Sequence, residues 1–227
     1  GYEENYENCT VYFCNIANMH AMRHSMQRLV DACNGYAESF LQALIESKWL
    51  RYCFKILHAA QKAAKLVDSG TPVLVHCTDG WDRTPQICSL AQIMLDPYFR
   101  TIQGFEVLIE KDWCAFGHKF GERLGHCSED DEDSERSPIF AQFLDCVWQL
   151  KSQFPHEFEF NDNFLLDVRY HSTSCRFGTF LFKNGMQRIQ HQLKKETISL
   201  WTFINNNRHA YRNPTYSPEA EHLQPHI

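Results

Sequence analysis

Pro72-Val73-Leu74-Val75-His76-Cys77-Thr78-Asp79-Gly80-Trp81-Asp82-Arg83-Thr84-Pro85-Gln86 is the stretch on which the reading of this chain turns. Its first four residues follow the breaker pair Ser69-Gly70 and are apolar and partly β-branched, so they predict a short buried strand. At the other end Thr84 and Pro85 are helix-start residues. Ile87, Leu90, Ala91, Met94 and Leu95 then recur at helical spacing as far as Asp96-Pro97. Residues 73 to 95 therefore read as strand, loop, helix, with a thiol and a guanidinium at the two ends of the loop.

A helix N-terminus presents unpaired backbone N–H groups and the positive end of its dipole, which suits an anion. Arg83 can grip two phosphate oxygens with its planar fork. Cys77 then lies at the floor of the loop, beneath a bound phosphorus. A free thiol has a pKa near ~8.5, but helix N-termini and nearby cations lower it to roughly 3.5 to 7.5 and so supply thiolate at neutral pH. Thiolate attack on a phosphate monoester gives a cysteinyl-phosphate that water later hydrolyses. The departing alkoxide needs a proton, and Asp79 and Asp82 are the candidates. Either can instead cap the following helix. Nearby negative charge raises a carboxyl pKa, so at least one should be protonated once a phosphate is bound. Asp82, next to Arg83, is assigned as the general acid. Trp81 can prop the loop, wall a ring of the substrate or face an apolar surface.

Outward from the loop, residues 9 to 16 predict a strand and Met19 to Cys33 a helix stopped by Asn34-Gly35. A longer helical pattern from Glu38 to Val67 breaks near Ser47. Gln103 to Ala115 predicts a helix ending at Gly117, and Pro138 to Phe154 another, with Phe140, Phe143, Leu144, Val147, Trp148 and Leu150 inward. Residues 163 to 175 and 194 to 205 also favour helix. The run Glu129-Asp130-Asp131-Glu132-Asp133 reads as a solvated loop, and Pro214, Pro218 and Pro225 among polar neighbours as a loose tail over 213–227.

The 227 residues, 44% of them apolar, are enough for one domain with a sizeable core. A formal net charge of -6 argues against nucleic acid and against general adhesion to anionic membranes, so any lipid must be met by a local basic site. Ten irregularly spaced cysteines without Cys-x2-Cys give neither a zinc ribbon nor a secreted disulfide framework, and reduced thiols in the cytosol are the simpler account. No apolar run is long enough to cross a bilayer.

His76 to Gln86 resembles the signature of the myotubularins, lipid phosphatases related to the protein tyrosine phosphatases, whose loop reads His-Cys-Ser/Thr-Asp-Gly-Trp-Asp-Arg-Thr. The inner Asp79-Gly80-Trp81-Asp82 is the specific part. Further stretches are similar to the same family: Asn18 to Arg23, Leu95 to Thr101, Gly104 to Lys111, Phe116 to Phe120, Arg123 to His126, Arg136 to Phe140, Phe158 to Asn161, Ser199 to Trp201 and Asn213-Pro214. The likeness runs from Gly1 to about Tyr216.

The resemblance implies an α/β, protein tyrosine phosphatase-like domain with a central sheet and flanking helices over residues 1–212, incomplete at its N-terminus. The family's membrane-binding GRAM domain would precede Gly1. It implies removal of the 3-phosphate from phosphatidylinositol 3-phosphate and phosphatidylinositol 3,5-bisphosphate with no metal and no other cofactor, by a peripheral protein on cytosol-facing endosomal membranes. Family members often dimerise through a coiled coil, which nothing after His226 could form. Residue by residue, Cys77 is implied as nucleophile, Asp82 as acid, and Thr78, Asp79, Gly80, Trp81, Asp82 and Arg83 as the loop that wraps the phosphate. Asn18, Met19, Lys119 (where arginine is usual) and Arg123 are implied as further substrate contacts. Lys119 and Arg123, four apart, would share a helix face suited to a second anionic group or simply solvated. Two other classes stay open: a protein tyrosine or dual-specificity phosphatase, and a noncatalytic adaptor. Inactive family members usually lack the loop cysteine or arginine, and both are present here.

Overall fold

The computed structural model of the chain describes residues 7–35, 39–126 and 133–226. The helical half of the central reading holds: α4 runs Arg83–Leu95. It is buried nearly all round because it passes between other helices, and its polar residues are satisfied inside. Gln86 donates to the Ile139 carbonyl (3.1 Å) and to Gln142 Oε1 (3.1 Å), and Ser89 Oγ accepts from Trp113 Nε1 (3.1 Å).

The expected α/β architecture with a central sheet is not what forms. Among the described residues the β pairing consists of one isolated antiparallel bridge, between Phe160 and Arg212. Residues 9–16 and 72–76 carry no regular structure. A strand exists only through a ladder to a neighbouring segment, and no described segment pairs with either of these. The side chains show the consequence. Val73 and Val75 pack against the core, but Leu74 is 88% exposed, as is Phe13. The apolar composition that predicted burial on both faces is covered here on one.

What forms is a helical assembly. Asn18 caps α1 (Met19–Cys33), its side chain accepting from Ala21 N, and Gly35 (φ +78°) follows its end. α2 (Phe40–Ser47) and α3 (Trp49–Asp68) divide at Lys48, which is left-handed (φ 60°), the break expected near Ser47. After α4 come α5 (Ile102–Leu108), which passes into a π-helical stretch Ile109–Ala115, and the short α6 (Phe120–Leu124). Then follow α7 (Ile139–Gln153) and α8 (Asp162–Thr173). The predicted 194–205 helix is two pieces, α10 (Leu193–Glu196) and α11 (Leu200–Asn206), preceded by α9 (Gly185–Gln190) and followed by α12 (Arg208–Tyr211). Of the acidic run at 129–133, residues 129–132 lie outside the described residues.

The core is aromatic. Trp113 meets Phe140 edge-on at 5.0 Å and Phe143 at 4.9 Å, and Phe120 meets Phe140 at 5.1 Å and Phe180 at 4.9 Å. The cluster ties the π-helical stretch and α6 to α7, and fixes the segment that faces the loop. Trp148, expected inward, is 43% exposed, off the buried stripe of α7.

Residues 213–226, read from their prolines as a loose tail, have no regular structure but run tied along the body. The fully buried Arg100 donates from Nη2 to the carbonyls of Ala220 (2.5 Å) and Glu221 (3.1 Å). Glu157 Oε1 accepts from the N–H groups of Glu219 and Ala220, and Leu223 N donates to Met94 O.

Candidate active site

The loop between Val75 and α4 closes around Cys77. Gly80 (φ +90°) takes a backbone conformation that a Cβ would strain, and its N–H donates to Cys77 Sγ at 3.2 Å. Thr84, in the first turn of α4, donates its hydroxyl to the same sulfur at 3.3 Å. Burial alone would raise the thiol pKa. The Thr84 hydroxyl and the N–H groups of Gly80, Thr84 and Asp79 more than offset it, and the thiol is lowered below its usual 9.0. Hydrogen-bond donors thus converge on the sulfur at the mouth of a helix, which favours thiolate.

Arg83 lies across the loop, donating from Nη2 to Thr78 Oγ1 (3.1 Å) and from Nη1 to the Ile16 carbonyl (3.3 Å). The second bond ties the loop to the chain just ahead of α1, two residues before Asn18. Asn18 itself uses its side-chain oxygen as the α1 cap, and the Met19 carbonyl accepts from Ser137 Oγ (2.8 Å). Asp79 is exposed.

Asp82 makes no helix-cap bond. Its carboxylate is held from two other sides: Arg123 donates from Nε to Oδ1 (3.1 Å) and from Nη2 to Oδ2 (3.0 Å), and His118 Nδ1 lies 3.3 Å from Oδ1. Burial pushes this carboxyl up, but the hydrogen bonds and charge of His118 and Arg123 prevail and hold it below the ordinary carboxylate range. Asp82 is therefore held as a carboxylate at neutral pH. Arg123 is 4% exposed and is also engaged by Glu135, through Oε2 (2.9 Å) and the carbonyl (3.0 Å). Lys119 sits at the start of α6 with its Nζ 4.4 Å from the centre of the Trp81 ring. The two cations read from sequence as a pair thus have different surroundings: Lys119 is partly open beside the tryptophan, and Arg123 is enclosed with carboxylates.

Two members of the site escaped the sequence reading. Thr84 is a helix starter and the last residue of the signature in the sequence, with no role at the sulfur expected, although a hydroxyl one residue past the loop arginine is placed by helix geometry to face back into the loop. His118, whose Nδ1 lies 2.7 Å from the Trp81 carbonyl, gave no local signal. Arg100, within the Leu95 to Thr101 stretch that is similar to the family, is engaged with the C-terminal segment. Among the described residues no group of three or more His, Cys, Asp or Glu side chains is placed to hold a metal ion.

A lowered thiol at a helix mouth, a spanning arginine and a carboxylate within one loop are the equipment of the cysteine-dependent phosphatase class. Residues 1–189 match the myotubularin-like phosphatase domain. The chain is 48% identical over 220 residues to phosphatidylinositol-3,5-bisphosphate 3-phosphatase mtm-1 of Caenorhabditis elegans, covering 95% of this chain and 37% of that protein. It is 48% identical over 226 residues to phosphatidylinositol-3,5-bisphosphate 3-phosphatase MTMR6 of Mus musculus, covering 97% and 36%. With phosphatidylinositol-3,5-bisphosphate 3-phosphatase MTMR4 of Homo sapiens it shares 46% over 222 residues, 96% of this chain and 19% of that one. The chain belongs to the myotubularin-like phosphatase family, and it spans little more than a third of the length of the first two of these relatives.

Proposed function

We propose that this protein removes the 3-phosphate from phosphatidylinositol 3-phosphate and phosphatidylinositol 3,5-bisphosphate, without a metal, through a cysteinyl-phosphate intermediate. The observation that carries the reading is the Cys77 sulfur, met by the Gly80 N–H and the Thr84 hydroxyl in the same loop as Arg83. The names of its relatives support the substrate class.

The phosphate enters the loop between Cys77 and Arg83, and the guanidinium takes two of its oxygens. The Cys77 thiolate attacks phosphorus, an S–P bond forms, and the bond from phosphorus to the inositol oxygen breaks. Asp82, ionised at rest, takes up a proton from solvent as the dianion arrives beside it, because added negative charge raises a carboxyl pKa. It gives that proton to the departing alkoxide. Asp82, again a carboxylate, then draws a proton from the water that attacks the cysteinyl-phosphate. Inorganic phosphate leaves, the thiolate is restored and Asp82 returns its proton to solvent. Arg123 and His118 favour the carboxylate form needed for this second step.

The setting we propose is the cytosolic face of endosomal membranes, approached peripherally, a reading that rests on the family resemblance. No helix among the described residues is long and apolar enough to cross a membrane. Phosphate release should be measured from short-chain 3-phosphorylated inositides and from phosphotyrosine peptides, with wild type and Cys77→Ser. Release from the inositides that is abolished in Cys77→Ser is expected. Preference for the peptides, or turnover that survives loss of the sulfur, would overturn the proposal.

A further inference from the structure

Beside Trp81 lies a charge cluster that the reaction at Cys77 does not use. Lys119 Nζ is 3.2 Å from Glu122 Oε2, and the other oxygen of that carboxylate is held by Lys183 Nζ. Lys183 arrives from the segment ahead of α9, 61 residues along the chain from Glu122. Its backbone is seated against the turn that leads into His118 and Lys119, since a Cβ on Gly117 would meet the Lys183 carbonyl oxygen at 3.4 Å. The carboxylate is the enclosed member, with its side chain 13% exposed, and the ammonium groups are the open ones, at 30% for Lys119 and 44% for Lys183. Two cations share one anion, so the cluster presents a net positive charge next to the loop's tryptophan.

We propose that Lys183 is a specificity-determining residue which, with Lys119, receives a second phosphate carried on the substrate's ring, Glu122 serving as the resting counter-ion. The inference rests on the phosphoinositide reading above. Lysine suits the role because an ammonium on a flexible stem meets a phosphate as a point charge and can swing to it. Partly exposed lysine–carboxylate pairs hold little free energy, so exchanging Glu122 for a more highly charged phosphate is not costly. Glu122 is itself held below the usual carboxylate range: burial raises it, and the two lysines more than offset that. It is therefore present as an anion to be exchanged. A ring bearing only the reacting phosphate offers these ammonium groups nothing. The same contacts could merely staple α6 to the segment ahead of α9, and that role predicts a different result.

The test compares Lys183→Ala and Lys183→Arg with wild type on short-chain phosphatidylinositol 3-phosphate and 3,5-bisphosphate. In Lys183→Ala the ratio of kcat/KM for the bisphosphate to that for the monophosphate should fall roughly five- to twentyfold, chiefly through KM, with most of it restored in Lys183→Arg. An unchanged ratio, or equal losses on both lipids with a lowered melting temperature, overturns the proposal and leaves only the staple. If wild type releases phosphate from neither lipid, the phosphatase reading has failed on its own. Calorimetric binding of the two soluble headgroups to Cys77→Ser, with and without Lys183→Ala, then decides the site: selective weakening of the bisphosphate supports it and equal weakening or none overturns it.

Discussion

His118 approaches the Trp81 carbonyl to 2.7 Å through Nδ1, from a side chain with no solvent exposure. A carbonyl oxygen only accepts, so Nδ1 carries the proton and donates it. The same nitrogen is 3.3 Å from Asp82 Oδ1, while Nε2 is buried without a partner, the ring set edge-on to Trp113 (4.9 Å) and Phe120 (4.7 Å). One N–H thus addresses both the backbone of the loop and its carboxylate, from an imidazole clamped by the aromatic core.

That geometry makes His118 a positioning residue for Trp81 and Asp82. His118→Ala should lower kcat by about tenfold with a smaller change in KM, the size of one hydrogen bond to a charged group. It should also lower the melting temperature, because it leaves a cavity. In His118→Asn the amide N–H can take the place of Nδ1–H, so activity should recover while much of the cavity remains. Equal loss of activity in the two variants would mean that the ring acts by packing alone.

The Thr84 hydroxyl stabilises the thiolate form of Cys77, so its removal should move the thiol upward. Alkylation of Cys77 by iodoacetamide, followed against pH, should show its half-point below the usual thiol value in wild type and at higher pH in Thr84→Ala. The loss in kcat/KM should be about tenfold near pH 6 and shrink as pH rises toward full ionisation in both proteins. Thr84→Ser keeps the hydroxyl and should behave as wild type. Superimposable alkylation curves for wild type and Thr84→Ala would show that the 3.3 Å contact does not tune the sulfur.

The helix that follows the loop was legible in the sequence because Thr84-Pro85 and the spacing Ile87, Leu90, Ala91, Met94 are local signals of a local structure. The strand before it was not, because Val73-Leu74-Val75 says only that the segment is fit for a sheet, and pairing depends on a second segment that no residue near it specifies. The loop chemistry of Cys77 and Arg83 could be read from seven contiguous residues. The environment of Asp82 could not, since His118 and Arg123 are supplied from distant positions and together reverse what burial alone would do to the carboxyl. The tail shows the same division. Its prolines correctly forbid regular structure, whereas its attachment is set by Arg100 and Glu157 in the body.

Glu106 provides a stability test independent of the loop. Burial in α5 pushes its carboxyl up to about 7; the Asn205 amide and the charge of Arg208 oppose the shift, and Glu110 and Glu159 add to it. Asn205 Nδ2 reaches both oxygens, at 2.9 and 3.0 Å. Below the ordinary carboxyl value of 4.5 the group is protonated whether the chain is folded or not, and it contributes no pH dependence. Between 4.5 and about 7 the unfolded chain gives up this proton while the folded chain keeps it, so stability falls as pH rises through that window, and above it the deficit is constant. Glu106→Gln cannot ionise and still accepts from Asn205 through its amide oxygen. Its melting temperature should therefore gain on wild type between pH 5 and pH 8, with the difference levelling off above 8. A melting-temperature difference that is the same at pH 5 and pH 8 would show that Glu106 is ionised in the fold throughout, and that Asn205 and Arg208 outweigh its burial.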